Sequence, residues 1–212
     1  MQCFNAIGYN MDRDLYIYGA GGHAKVVAAT ARLLGYQVKG FCEDHSVRIG
    51  ELFFGAPIVP FEQIPHGANV FIAFGNNSVR YQKITALKEI FNIPTLIHPS
   101  AQISAGSEIG CGCFIAALSN IDPDCQLGTG CILNKLSNIS HDSVVGAGTH
   151  VAGGVIVAGN VNIGKCCCIG IGSRIIEKIT IGDNVTVGVG AVVIRDLPEN
   201  VTAVGVPAKI IK

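Results

Sequence analysis

The chain has 212 residues, enough for one large domain or two small ones around a real buried core. Charged residues make up only 14% and hydrophobic ones 49%, which excludes a disordered polyelectrolyte. Lys plus Arg and Asp plus Glu both number 15, so no net charge draws the protein to nucleic acid or anionic lipid. No apolar run approaches the ~18 residues of a membrane span.

The opening stretch "MQCFNAIGYNMDRD" lacks a basic start and a long apolar core, so no secretory signal is expected. Residues 1–13 read as an N-terminal tail, with residues 1–10 either loose or ahead of a start at Met11. Without an export signal, the nine cysteines are expected as reduced thiols in a cytoplasm.

A strand-like run, Leu15 to Tyr18, meets the loop Gly19-Ala20-Gly21-Gly22-His23-Ala24. An amphipathic helix pattern follows to Leu34, with Gly35 placed to cap it. A second strand, Gln37 to Cys42, ends at the acidic pair Glu43-Asp44. A third, Val70 to Phe74, runs into "GNNSVR", with Asn76 and Asn77, before another helix pattern. This order fits a strand, phosphate loop and helix, with an acid about twenty residues on. Residues 14–94 are too few for a full dinucleotide-binding domain and suit a Rossmann-like half that holds one nucleotide. A plain α/β domain, with glycines for tight packing and His23 as a helix cap, remains open.

From Ile103 to Val193 every sixth residue is Ile, Leu or Val, across sixteen positions. The third residue after each is usually Gly, Asp or Asn, as in Gly106, Asp124, Asp142, Asn160 and Asp196, types that tolerate turn conformations. The fourth is small or β-branched, as in Cys113, Ser119, Cys125, Cys131, Ser143 and Thr149. Each hexad is therefore a short strand plus a corner, and three hexads make one triangular coil of 18 residues. Coils stack as parallel strands at about 4.8 Å, giving roughly five coils over residues 95–212. The inward column absorbs Cys113, Cys125, Cys131 and Cys167. "CCC" at 166–168 places neighbours on opposite faces, so no metal site is expected.

One charged pair, His141-Asp142, interrupts the bland repeat. Two residues past Ile139, His141 stands at a coil's rim, where an imidazole of reference pKa ~6.5 can take a proton from an attacking amine. Asp142 can accept the other ring N–H. Gly159, one coil further, offers a backbone N–H to an oxyanion. Spacing alone leaves Asp142 equally open as a turn residue and His141 as a solvated corner.

"YIYGAGGHAKVV", "AFGNNSVR", "IHPSAQIS", "NISHDSVVGAGTHVAGGVIVAGNVNIG" and "AVGVPAK" together resemble the NeuD/PglD-like sugar O- and N-acetyltransferases over about residues 14–210. The resemblance implies a left-handed parallel β-helix, a homotrimer, and acetyl-CoA as co-substrate lying along the helix between subunits. It implies His141 as the catalytic histidine with Asp142 beside it, and Gly159 as oxyanion donor. It further implies a nucleotide sugar at Gly19, Gly21, Gly22, His23, Asp44, Asn76 and Asn77. Asn134, His150, Gly159, Gly172 and Lys209 would meet the cofactor. The expected reaction is N-acetylation of the 4-amino group of a UDP- or dTDP-linked amino sugar in bacterial glycan assembly. Competing readings are O-acetylation of a sialic or related sugar, and a non-catalytic sugar-nucleotide-binding β-helix. A zinc carbonic anhydrase would need three histidines, and the coil offers only His141 and His150.

Overall fold

In a computed structural model the described residues are 13–44 and 47–212. The expectations for residues 1–10 and for a start at Met11 lie outside them. Strand β1 (Asp14–Tyr18) is central in a parallel sheet, between β2 (Gln37–Cys42) and β5 (Asn69–Ile72). Between β2 and β5 lies a small hairpin, β3 (Leu52–Phe53) and β4 (Ala56–Pro57). Helix α1 (Gly22–Leu33) buries Ala24, Val27, Ala28 and Ala31, one face of a 3.6-residue period. It stops where Gly35 turns to φ +83°. There the Tyr36 N–H reaches the Ala31 carbonyl and the Gly35 N–H reaches that of Arg32, so the last carbonyls are satisfied. Helix α2 (Asn77–Leu87) follows β5.

The remainder is a triangular parallel β-helix of the left-handed class, about six turns long. From Leu96 to Val193 its strands are two residues each and pair in register with strands 18 residues away, as Asn120–Ile121 does with Asn138–Ile139. One face has six strands, one five and one eight. The spindle starts at Leu96–Ile97, one hexad before the repeat read from Ile103, so it is longer than the expected five coils.

Corner residues explain why so repetitive a chain turns at fixed points. Gly106, Gly112, Asp124, Gly130, Asp142, Gly148, Asn160 and Asn184 all have φ between +56° and +80°. Leu118, Leu136, Cys166 and Lys178 take the same conformation at equivalent corners, forced there by the stacked coils. Asp196, grouped with that column by sequence, is not among them. The last coil is shorter by two residues, since Thr186 pairs with Thr202 and Ile181 bridges to Leu197. A final strand, Lys209–Ile210, then runs antiparallel along Thr202–Val204.

Inside the spindle, each sixth aliphatic from Ile115 to Val193 is buried. Several members of the inward polar column hide their donors by bonding carbonyls of the next coil, while the Ser137 and Ser173 hydroxyls are buried without a partner among the described residues. Ser143 Oγ donates to the Ala158 carbonyl at 3.1 Å, Thr149 Oγ1 to that of Gly164 at 2.7 Å, and Cys131 Sγ to that of Gly146 at 3.2 Å. Among the described residues, eight cysteines are free thiols, and Cys113, Cys125, Cys131 and Cys167 are fully buried in this column.

The N-terminal domain covers the eight-stranded face. Ala24, Val27 and Ala31 of α1 share one apolar cluster with Phe114, Ala116 and Ile132 of that face. On the other flank Arg80, fully buried in α2, donates from Nε to the Gly130 carbonyl at 2.8 Å and from Nη2 to that of Gly148 at 2.6 Å. Its Nη1 reaches the Phe74 carbonyl at 2.9 Å, and Nη2 also meets Asn77 Oδ1 at 2.9 Å. Burial pushes the guanidinium pKa down, which these oxygen acceptors counter. Replacing Arg80 with Met leaves those carbonyls buried without donors. Arg80→Met is expected to lower the unfolding free energy by about 3 kcal/mol or more in denaturant titration.

Candidate active site

The edge joining the six- and five-stranded faces carries residues 140–143 on one coil and 158–161 on the next. His141 and Asp142 project from it, their side chains 59% and 53% exposed. Asp142 holds the left-handed corner at φ +59° and also brings Oδ2 to 2.7 Å from His141 Nδ1. One residue thus serves as turn and as hydrogen-bond partner. With Nδ1–H given to the carboxylate, Nε2 is left as the basic nitrogen.

The ring lies over Gly159. A Cβ there would stand 2.6 Å from His141 Cε1 and 2.7 Å from Nε2, so any side chain at this position would displace the ring. The Asn160 N–H anchors the His141 carbonyl at 3.0 Å, and the Lys178 N–H takes the Gly159 carbonyl at 3.1 Å. No acceptor among the described residues takes the Gly159 N–H.

The second candidate region lies at the C-terminal ends of β1, β2 and β5. Gly19, at φ +119°, turns the chain beside Ala73, whose carbonyl oxygen would be 3.2 Å from an added Cβ. Gly21 caps α1 with no side-chain hydrogen bond, and neither Gly21 nor Gly22 has an atom within 4 Å of where a Cβ would be. The helix therefore opens onto free space with unpaired N–H groups, a setting that favours an anion. Asp44 accepts from the Tyr18 hydroxyl, and its Oδ2 is 2.9 Å from Lys83 Nζ. Lys83 also donates to the Tyr18 oxygen at 2.8 Å. Burial first, then the Asp44 carboxylate, push the Tyr18 pKa up to about 12, so the phenol stays protonated.

The remaining sequence-derived residues are scattered more widely. Asn76 caps α2 by accepting from the Val79 N–H at 3.0 Å. Asn77 donates to the Cys167 carbonyl at 2.8 Å, tying α2 to the spindle. His23 does not cap α1; its ring stands edge-on to Phe114, 5.3 Å between centroids. His150 projects from the eight-stranded face, which the N-terminal domain covers. Asn134 and Gly172 lie on the edge between the eight- and six-stranded faces, Asn134 accepting from the Lys135 N–H. Lys209 is exposed on the last strand. Within one chain, His141 and Gly159 thus share one edge, while Asn134 and Gly172 share another.

Three residues of these regions carried no sequence signal of their own. Tyr18 and Arg80 fell inside the resembling stretches without an assigned role, and Lys83 lay just beyond. A basic residue one helical turn or so past "GNNS" was the only hint.

A hexapeptide-type spindle bearing an exposed His-Asp pair over a glycine, joined to a nucleotide-type α/β half, defines an acyltransferase architecture. Residues 14–87 match the family model described as the PglD N-terminal domain. PerB from Caulobacter crescentus, solved with CoA and GDP-perosamine, is 35% identical over 98% of this chain and 99% of its own, with a TM-score of 0.87. The acetyltransferase domain of PglB from Neisseria gonorrhoeae, solved with acetyl coenzyme A, is 34% identical over 94% of this chain and 100% of its own, TM-score 0.87. WeeI from Acinetobacter baumannii is 27% identical over 93% and 99%, TM-score 0.85. The chain belongs to the NeuD/PglD-like sugar acetyltransferase family.

His23 and His150 give the domain junction a pH dependence. Burial, with the Arg80 charge second, lowers each to about 4, and each Nε2 is buried with no partner among the described residues. Unfolded histidines titrate near ~6.5, so the unfolded chain binds more protons between pH 6.5 and 4. The contribution is complete above pH ~6.5 and is lost as pH falls through that window. Thermal unfolding is expected to show a loss of about 3 kcal/mol or more between pH 7 and pH 4, flatter in His150→Phe.

Proposed function

We propose that the protein transfers the acetyl group of acetyl-CoA to the 4-amino group of a nucleotide-activated amino sugar. The observation that carries this reading is the 2.7 Å His141 Nδ1–Asp142 contact with Nε2 turned over Gly159. Support comes from PerB, a full-length relative whose structures hold CoA and GDP-perosamine, including one with a histidine changed to alanine.

In the proposed reaction the sugar arrives as an ammonium and must lose a proton before its nitrogen can attack the thioester carbonyl. His141 Nε2 takes the proton, and Asp142 stabilises the imidazolium through Nδ1. The carbonyl oxygen gains charge in the tetrahedral intermediate, and the Gly159 N–H donates to it. The C–S bond then breaks, CoA thiolate leaves and takes the proton held by the imidazolium, and the nitrogen gives up its second surplus proton to solvent through the freed imidazole, leaving a neutral amide.

The reading also includes a homotrimer. The α/β half covers the eight-stranded face, and His141 stands on the edge opposite that face. A sugar held at the α/β half therefore meets a His141 more readily from a second copy. Exposed Leu118, Leu136, Ile171 and Val189, along the edge that carries Asn134 and Gly172, offer such a copy an apolar contact. Sedimentation is expected to give a species three times the chain mass; a monomer that acetylates at full rate would remove this part.

The deciding assay follows thiol release from acetyl-CoA against UDP-, GDP- and dTDP-linked 4-amino sugars, with CMP-sialic and free sialic acid alongside. Turnover with an amino sugar is expected. Turnover only with a sialic acid would move the activity to O-acetylation. His141→Ala is expected to reduce the rate about 10²-fold or more, with unfolding unchanged. Gly159→Ala, which drives a methyl into the imidazole, is expected to cost at least about 10-fold.

A further inference from the structure

The β3–β4 hairpin of the α/β half carries an apolar tip that plays no part in the reaction proposed at His141. Its two-residue loop, Phe54-Gly55, joins Phe53 to Ala56, and both loop residues have positive φ, +42° and +81°. That is the pattern of a type I′ turn, whose first central place suits Asn, Asp or Gly, the types that bear a left-handed backbone best. A bulky phenylalanine held there is an outlier that costs the fold stability. What the chain gains is an exposed ring. Phe54 is 43% exposed and Leu52, two residues before it, 79%; Val47 and Ile49 in the preceding turn are exposed as well.

The tip is anchored from behind. Phe53 meets Phe41 edge-on, 4.9 Å between centroids. Lys25 and Arg32, seven residues apart on one face of α1, reach the same hairpin. Lys25 Nζ lies 5.4 Å from the Phe53 centroid, and the Arg32 guanidinium 5.1 Å from that of Phe54. Arg32 Nη2 also donates to the Phe54 carbonyl at 2.6 Å. Arg48, 5.3 Å from the Phe53 centroid, is paired with Glu43 and Glu51. Lys25 and Arg32, by contrast, are exposed and form no ion pair among the described residues.

A hairpin tip is convex, and one that bears apolar side chains with unpaired cations behind them is shaped for a fluid surface. The rings enter among acyl chains while the long cationic side chains stay level with anionic headgroups. The whole chain has no net charge, so the attraction is local to this tip. We infer that residues 47–54 dock the protein on an anionic lipid surface, with Leu52 and Phe54 inserted and Lys25 and Arg32 against the headgroups. The attachment is peripheral and reversible, as so few apolar side chains allow.

The test is flotation of the full chain with vesicles of phosphatidylcholine alone, or mixed with about one-third phosphatidylglycerol. Wild type is expected to float with the anionic vesicles, and less so in about 0.5 M NaCl, where charges are screened. Leu52→Ser and Phe54→Asn together are expected to lower the partition coefficient about 10-fold or more, the scale of one large apolar side chain taken from water. Lys25→Gln is expected to lower it about 5-fold. Phe54→Asn puts a residue suited to the turn in place of a strained one, and is expected to unfold at the same temperature or higher. A lower midpoint makes the ring part of the fold and overturns its assignment to a lipid surface. A wild type that ignores anionic vesicles, or a double variant that floats as wild type does, overturns the proposal. So does a double variant of lower mass in sedimentation beside a wild type that ignores vesicles, which assigns the tip to contact with a second copy.

Discussion

Main-chain hydrogen bonds between residues 18 apart decide almost everything about the spindle. Each two-residue strand is too short to be stable by itself, so a coil exists only because coils above and below supply its partners. That mutual support fixes register to the single residue. A slip by one would turn every inward aliphatic outward. Because register is fixed, the residue above His141 is always Gly159, and the imidazole meets bare backbone instead of a side chain. The edge that carries His141 is thus as rigid as the core behind it, which suits the chemistry proposed for it, in which donors must wait in position for a developing charge.

The α/β half is attached by different means. Apolar side chains of α1 lie on Phe114 and Ile132, while Arg80 reaches carbonyls on two successive coils. Buried guanidinium groups are costly to desolvate, and satisfying this one through fixed carbonyls gives the junction an orientation that an oily contact alone would not. Two neutral histidines share that junction, their pKa values lowered first by burial and then by the Arg80 charge beside them.

How legible was this from sequence? The six-residue beat gave the faces, the corners and the stacking of His141 on Gly159, because period and register are the same information. It failed at the ends. Leu96–Ile97 was hidden behind "HPS", and the last coil's two-residue shortening broke the count at Asp196. The α/β half was readable from its glycines, with Val70–Phe74 proving to be Asn69–Ile72. Its long side chains were not. Arg80, Lys83 and Tyr18 act across 26 to 68 residues of chain, and no local pattern encodes such a reach. Likewise the resemblance grouped Gly159 with Asn134, His150 and Gly172, yet within one chain Gly159 lies on the edge between the six- and five-stranded faces and the other three on or beside the eight-stranded face.

The shortened final coil and the reversed strand after it have a consequence for solubility. A regular parallel ladder ends in a row of unpaired amides and carbonyls onto which another ladder of the same pitch could grow. Here the Lys209–Ile210 segment crosses the eight-stranded face's terminus in the opposite direction, and the break in spacing puts that rim out of phase with any incoming 18-residue coil. The molecule therefore carries its own stop against fibre-like extension at this end, built from chain direction instead of charge.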